Sequence, residues 1–386
     1  MTFPRVGVVG GGQLARMLAA PAVALGVRLR VLAEAPDASA AQVVPDAPVG
    51  AASDLAALEA FAAGCDVVTF DHEHVPQPVL ASLAASGVVL RPGPEALRFA
   101  QDKAAMRCRL AEAGVPCPRW ALVSDAAGLA AFAEEAGWPV VLKTPTGGYD
   151  GRGVLVVSSV SEASGWLDRA ASSGAVLLAE ERVPFVRELA VLVARSPMGQ
   201  AAVWPVVETV QTDGICTEVL APAPGLGPDL AARASATALK IAGDLDVTGV
   251  LAVEMFEVRG ADGRADYLVN ELAMRPHNSG HWTIEGSVTS QFEQHLRAVL
   301  DLPLGSTAPL ARWSVMANVL GGSHPDLFPA YLHVMARDPE AKVHVYGKQV
   351  RPGRKVGHVT VSGEDLDDVR ARARHAAGYI SGTILE

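Results

Sequence analysis

The first hundred residues alternate between short apolar runs and stretches with helical spacing. Arg5–Val9 is a compact apolar run, Gly10–Gly12 a turn, and Gln13–Leu25 repeats Leu14, Met17, Leu18 and Leu25 on one helical face. Val27–Leu32 reads as a second strand, Asp54–Ala63 as a helix, Cys65–Phe70 as a strand and Pro78–Ser86 as a helix. Strands separated by helices of this length predict a parallel βαβ sheet. Around Gly93-Pro94 the pattern changes. One helix is predicted from Pro94 or Glu95 to Gly114, then two strands, Trp138–Lys143 and Gly153–Val157, around a glycine-rich loop. Strands at 175–180 and 188–194, a helix at 228–243 and a strand pair, Val250–Val258 and Ala265–Leu272, follow. Short strands and a closing helix, Asp365–Ala377, complete an α/β pattern.

Composition narrows the class. A chain of 386 residues suits two or three domains, and 50% hydrophobic residues exclude global disorder. A net charge of −10 argues against nucleic acid as a partner, because neutralising phosphates needs a surplus of Lys and Arg. The four cysteines, Cys65, Cys108, Cys117 and Cys216, form no CxxC pair and no disulfide framework. No signal-like segment opens the sequence, and the uncharged run from His74 to Leu90 is interrupted by Pro76, Pro78 and Gly87. A reduced cytoplasm, without membrane insertion, is the expectation. Only six of the 32 basic residues are lysine: Lys103, Lys143, Lys240, Lys342, Lys348 and Lys355. Where arginine is the default base, a compact ammonium suits a phosphate oxygen differently from a planar fork.

Five segments carry candidate chemistry. Gly10, Gly12 and Ala15 fit G-x-G-x-x-A between a strand and a helix, with Glu34 about 20 residues on. This is the dinucleotide fingerprint, a helix N-terminus open to any phosphate, or simply a tight turn. Lys143 ends a strand and precedes Thr146-Gly147-Gly148-Tyr149-Asp150-Gly151-Arg152-Gly153, whose N–H groups can wrap phosphate oxygens. That loop lacks the Walker A pattern; a flexible hairpin loop is the plain alternative. Asp262-Gly263 is a strong two-residue hairpin signal, and such a turn sets Glu254 directly opposite Glu271. Opposed like charges are destabilising unless a shared cation relieves them, and hard oxygen ligands suit Mg²⁺. The same register pairs Phe256 with Val269 and Val258 with Tyr267 as an apolar floor. Arg275-Pro276-His277-Asn278 gathers groups suited to a small planar anion such as a carboxylate or bicarbonate. Lys348, Arg351, Arg354 and Lys355 crowd four cations around the Pro352-Gly353 turn, a phosphate-sized positive patch or a solvated turn.

In combination these motifs resemble the ATP-grasp superfamily and, within it, the N5-carboxyaminoimidazole ribonucleotide synthases, the ATP-dependent carboxylases of aminoimidazole ribonucleotide (AIR). The resemblance runs in order along nearly the whole chain. Gly10-Gly11-Gly12-Gln13-Leu14, Thr146–Gly153, Asn270-Glu271-Leu272-Ala273, His277-Asn278-Ser279-Gly280-His281-Trp282 and Arg351–His358 carry it. It implies a Rossmann-like pre-ATP-grasp domain over 1–100, an ATP-grasp domain over 101–305 and a small β-rich domain over 306–386. It further implies a cytoplasmic homodimer that turns AIR, ATP and bicarbonate into N5-carboxyaminoimidazole ribonucleotide, ADP and phosphate through carboxyphosphate. Lys103, Lys143 and the loop Gly148, Tyr149, Asp150, Gly151, Arg152 and Gly153 would hold ATP phosphates. Glu180, Glu181, Arg182 and Val183 would form the segment whose backbone reads adenine, Glu188 would take the ribose, and Gln211 would touch the nucleotide. Glu254 and Glu271, with Asn270 beside them, would carry Mg²⁺ (or Mn²⁺). Arg275, His277 and Asn278, with Lys143, would carry out the chemistry on bicarbonate. Gln13, Glu73, Tyr149, Arg152, Arg275, Lys348, Arg354 and Lys355 would face AIR. Two departures from the family pattern stand out: Gln211 where His is frequent, and Thr69-Phe70-Asp71-His72-Glu73-His74-Val75, which differs from the commoner Glu-Phe-Glu-Asn version. Other ATP-grasp carboxylases and a nicotinamide-dependent oxidoreductase are the competing readings. The Arg351–His358 motif speaks against the former and the opposed glutamates against the latter.

Overall fold

The structure is a computed structural model describing residues 3–147, 153–260 and 262–384. Strand Arg5–Val9 lies between Arg28–Leu32 and Val67–Phe70, parallel to both, as the alternating pattern requires. All four residues of Val67–Phe70 are buried, the sign of a strand covered on both faces. The adjoining core joins Val6, Val8, Leu14 and Leu18 to Phe292, Leu296 and Val299 of helix Gln291–Val299.

Two further sheets follow. A four-stranded antiparallel sheet takes the order Trp120–Val123, Leu177–Glu181, Val140–Lys143, Val154–Val157. A nine-stranded antiparallel sheet begins at Ala265–Ala273, continues through Gly249–Arg259 and Arg187–Arg195, and reaches Ile215–Ala221. There it passes without a break into the C-terminal strands Trp313–Leu320 and Lys355–Gly363. His295, fully buried, ties the first sheet to this one: its Nδ1 accepts the Val250 N–H at 3.0 Å and its Nε2 lies 2.8 Å from Thr69 Oγ1. Burial lowers its pKa to about 3, so the ring is neutral.

The structure corrects two expectations. The helix expected across 94–114 is two helices, Pro94–Gln101 and Lys103–Glu112. Asp102 adopts an extended conformation between them, and its carboxylate accepts the N–H groups of Ala104 and Ala105, capping the second helix. Secondly, the hairpin turn is longer than Asp262-Gly263. Gly260 N–H bonds to Arg264 O, and Asp262 Oδ1 accepts the Arg264 N–H. Phe256 therefore faces Leu268 and Val258 faces Asp266; the floor pairs Phe256/Val269 and Val258/Tyr267 do not form. A bulge next to Glu254 takes up the extra residue, Asn270, and Glu254 meets Glu271 after all.

Candidate active site

Lys143 ends its strand with the ammonium 2.6 Å from Glu180 Oε2 and 3.4 Å from Asn270 Oδ1. The other Glu180 oxygen accepts the Arg107 Nε–H at 2.6 Å, and Arg107, wholly buried, also donates to the carbonyls of Val269 (3.0 Å) and Asn270 (2.7 Å). Burial pushes Glu180 up, but Arg107 and Lys143 outweigh it and hold the carboxyl below its ordinary range. Glu180 was expected to offer its backbone to adenine. It is an interior strand residue paired with Trp120 and Val141, and its side chain holds Lys143. Glu181 N–H is likewise taken, by Arg119 O, and its carboxylate holds Arg119 at 2.7 Å. Arg182 and Val183 follow after the strand has ended, the first exposed and the second buried.

Glu254 and Glu271 sit opposite one another on the hairpin, and each meets a nitrogen of the chain. Lys103 Nζ is 3.0 Å from Glu271 Oε1, and His277 Nε2 is 3.2 Å from Glu254 Oε1. Burial raises the Glu254 pKa, yet His277, Lys355 and Arg275 bring it below the usual carboxylate value. Glu188, on the neighbouring strand, shifts upward through burial and the charge of Glu254, with the Gln211 side chain opposing by a hydrogen bond. These residues line a cavity of ≈ 350 Å³ with Thr209, Asn278 and Lys355. Two opposed carboxylates and an adjacent amide oxygen make a hard-oxygen donor set, which fits Mg²⁺. With the ion the like charges would be shared rather than opposed.

Arg275 leaves the hairpin toward a second cavity of ≈ 540 Å³ that also exposes Lys103, Thr146, Gly147, Glu254 and Glu271. Its Nε donates to Glu73 Oε2 at 2.8 Å, while Glu73 Oε1 is buried with no partner among the described residues. Gln291, wholly buried, clamps the backbone of His277 in both directions, accepting its N–H and donating to its carbonyl, each at 2.8 Å. Asn278 exchanges two amide hydrogen bonds, 3.0 and 2.8 Å, with Asn318 of the C-terminal strands. His281 packs 5.0 Å from His358, so two motifs nearly eighty residues apart in sequence touch.

Beyond Arg275, His72 and His74, which line both spaces, lies a third cavity of ≈ 690 Å³. Gln13, Gln42, Lys348, Arg351 and Arg354 line it. The Lys348 ammonium donates to Gln13 Oε1. Lys355, expected here beside Lys348, is instead the first residue of its strand and lines the cavity of Glu188 and Glu254. The glycine turn is already filled. Gly12 N–H donates to Asp71 Oδ2 at 2.5 Å, Ala15 N–H to Asp71 Oδ1 at 3.3 Å, and Gly11 N–H to Glu34 at 3.2 Å. A carboxylate of the chain thus holds the helix N-terminus where a dinucleotide's pyrophosphate would bind, and a Cβ at Gly12 would meet it at 2.2 Å. The nicotinamide reading fails on this point. Gly148, Tyr149, Asp150, Gly151 and Arg152 lie outside the described residues; Gly153 resumes the chain with φ +75°, its carbonyl accepting Thr144 N–H.

Comparison with known proteins decides the family. The chain matches the ribonucleotide synthetase preATP-grasp domain over residues 3–101, the ATP-grasp domain over 108–292 and the phosphoribosylaminoimidazole carboxylase C-terminal domain over 314–372. It is 54% identical to the N5-carboxyaminoimidazole ribonucleotide synthase of Mycobacterium tuberculosis over 98% of this chain and 88% of that one. The chain belongs to the N5-carboxyaminoimidazole ribonucleotide synthase family. A second synthase, from Corynebacterium ammoniagenes, is 49% identical over 98% of this chain and 92% of its own. Among solved structures, the Aspergillus clavatus synthase in complex with ADP and AIR superposes with TM-score 0.87 at 34% identity, covering 98% of this chain and 99% of that one. The Thermus thermophilus synthetase gives 0.85 at 40%, covering 99% of each.

Four residues that shape this synthase-family site carry little signal in the sequence: Arg107, Asp71, Gln291 and Asn318. Arg107 alone has one, lying four residues after Lys103 on the same helical face.

Proposed function

We propose that this chain carries out the reaction of its family at the three joined cavities: ATP-dependent carboxylation of AIR to N5-carboxyaminoimidazole ribonucleotide, with ADP and phosphate released. The observation that carries the reading is Arg275 on the wall common to two cavities, one open to the paired glutamates and the other ringed by Lys348, Arg351 and Arg354.

ATP phosphates lie against Lys103 and Lys143, and the residues Gly148–Gly153 contribute to binding them. Adenine meets the backbone of Arg182 and Val183, and Glu188 takes the ribose beside Gln211. Glu254 and Glu271, with the Asn270 amide oxygen, hold Mg²⁺, which when bound neutralises charge on the transferring phosphoryl group. Arg275 grips bicarbonate through its planar fork and His277 flanks it, so that an oxygen is aligned on the γ-phosphorus. Attack gives carboxyphosphate and ADP, with Lys143 and Arg275 stabilising the charge that builds. The exocyclic amine of AIR, whose phosphate sits among Lys348, Arg351 and Arg354, then takes the carboxyl group, directly or as CO₂ freed in the closed site. Glu73 and Gln13 orient the acceptor.

The deciding experiment measures ADP release with ATP, Mg²⁺ and bicarbonate, with and without AIR. One carboxylated product per ADP, with strong dependence on AIR, is expected; ADP release indifferent to AIR would move the search to another acceptor. We further infer a homodimer working in the cytoplasm, which light scattering and cell fractionation test. Among the described residues no helix is long and apolar enough to cross a membrane.

A further inference from the structure

Helix Lys103–Glu112 turns two cations toward the hairpin from positions four apart. Lys103 reaches Glu271, and Arg107 reaches the backbone of the bulged Asn270 and of Val269 before it. Arg107 has no exposed surface, and all three of its nitrogens are engaged: Nε by Glu180, Nη1 by Val269 O and Nη2 by Asn270 O. A bulge leaves backbone groups without their ladder partners, and buried carbonyls need donors from elsewhere. The guanidinium is rigid and planar, so bonding two consecutive carbonyls and a carboxylate fixes their relative positions as well as their charges. On the far side of that carboxylate stands Lys143.

We propose that Arg107 is the positioning residue that pins the Asn270 bulge and, through Glu180, the ammonium of Lys143, so that metal carboxylates and phosphate lysine are aligned by one buried group. The proposal rests on the site reading above. Without the fork, the Asn270 carbonyl loses its buried donor, and the extra residue keeps only the long contact of its side chain with Lys143. A one-residue slip there carries Glu271 to the opposite face of the sheet, away from Glu254. Lysine at 107 supplies a charge for Glu180 but cannot fork to two carbonyls. The two functions of Arg107 are therefore separable.

The test uses the full chain with R107K and R107M. ADP binding is measured by calorimetry with and without Mg²⁺, alongside KM for AIR and the melting temperature. R107K is expected to keep metal-free ADP affinity within about twofold while the Mg²⁺ concentration for half-maximal tight binding rises about tenfold, the scale of one lost buried charged hydrogen bond. R107M is expected to lose both, metal-free ADP affinity by about 30-fold, with KM for AIR changed less than about twofold. An R107K that retains wild-type Mg²⁺ dependence overturns the proposal. So does a loss spread equally over ADP and AIR, which would mark general disruption. If R107M fails to fold, R107K decides alone. If the wild-type chain releases ADP without regard to AIR yet its Mg²⁺-dependent ADP binding responds to R107K as stated, the acceptor assignment falls and the role of Arg107 stands.

Discussion

The two ends of the site manage charge in opposite ways. At the nucleotide end the cations are already matched inside the protein: Lys143 with Glu180, Lys103 with Glu271 and Arg275 with Glu73, while the His277 ring lies against Glu254. At the acceptor end Arg351 and Arg354 are exposed and bond to Gln349, and neither pairs with a carboxylate among the described residues. The acids near them, Asp71 and Glu34, are turned onto the N–H groups of Gly12 and Gly11. A matched site admits a metal–nucleotide pair by exchanging partners, so its response should be steep and geometric. An unmatched site attracts a phosphate dianion from a distance, so its response should follow ionic strength.

Experiments can break this contrast, and the largest effect belongs to Glu271→Gln. Loss of one of two opposed carboxylates should cut turnover about 10³-fold while the melting temperature changes little, because the like-charge contact with Glu254 and the ion pair with Lys103 disappear together. Parallel losses of activity and stability, read by ADP release and thermal melts, would mean the glutamates serve the fold. Arg275→Lys comes next, with turnover down about 10²-fold for want of the bidentate fork and ADP affinity within about twofold. An equal fall in ADP binding would take Arg275 away from bicarbonate. Arg354→Ala should raise KM for AIR about tenfold at low salt and less at 0.5 M salt, leaving nucleotide binding alone. A salt-independent rise would erase the contrast between the two ends.

The smallest effect concerns Asp71. Burial, outweighing Arg275 and the Gly12 N–H, raises its pKa from 3.8 to about 6. The folded protein then holds this proton more tightly than the unfolded chain. Its contribution is complete below the unfolded value and is withdrawn as pH rises through about 6. Melting temperatures of the wild-type chain should therefore carry a downward component between pH 4 and 6.5 that Asp71→Asn removes, a difference of a few degrees. Parallel melting curves for the two proteins would show that Asp71 is ionised throughout.

Much of this was legible in the residues. Glu254 and Glu271 were found as partners from a turn signal, although the turn is longer and an intervening bulge restores their pairing. The bulge could not be read because the group that satisfies it, Arg107, lies 163 residues from Asn270. Gln291 and Asn318 hide for the same reason: one is a polar residue among several on its helix, the other a polar residue on a largely apolar strand, and each is meaningful only through a distant partner. Gly12 announced a close approach of something to the backbone, but the sequence could not say that Asp71 comes, instead of a pyrophosphate. Lys348 and Lys355 read as one cluster because only six residues lie between them. A turn and the start of a strand send Lys355 to the nucleotide side.

The unbroken nine-stranded sheet has a consequence for how this protein can be taken apart. Its C-terminal segment is no detachable cassette: removing it strips strand Ile215–Ala221 of its neighbour Trp313–Leu320 and leaves a row of open backbone groups, the kind of edge that recruits other chains. The same cut deprives Asn278 of Asn318. Shuffling among relatives should therefore succeed only where that strand pair is exchanged as a unit, with the seam placed outside it.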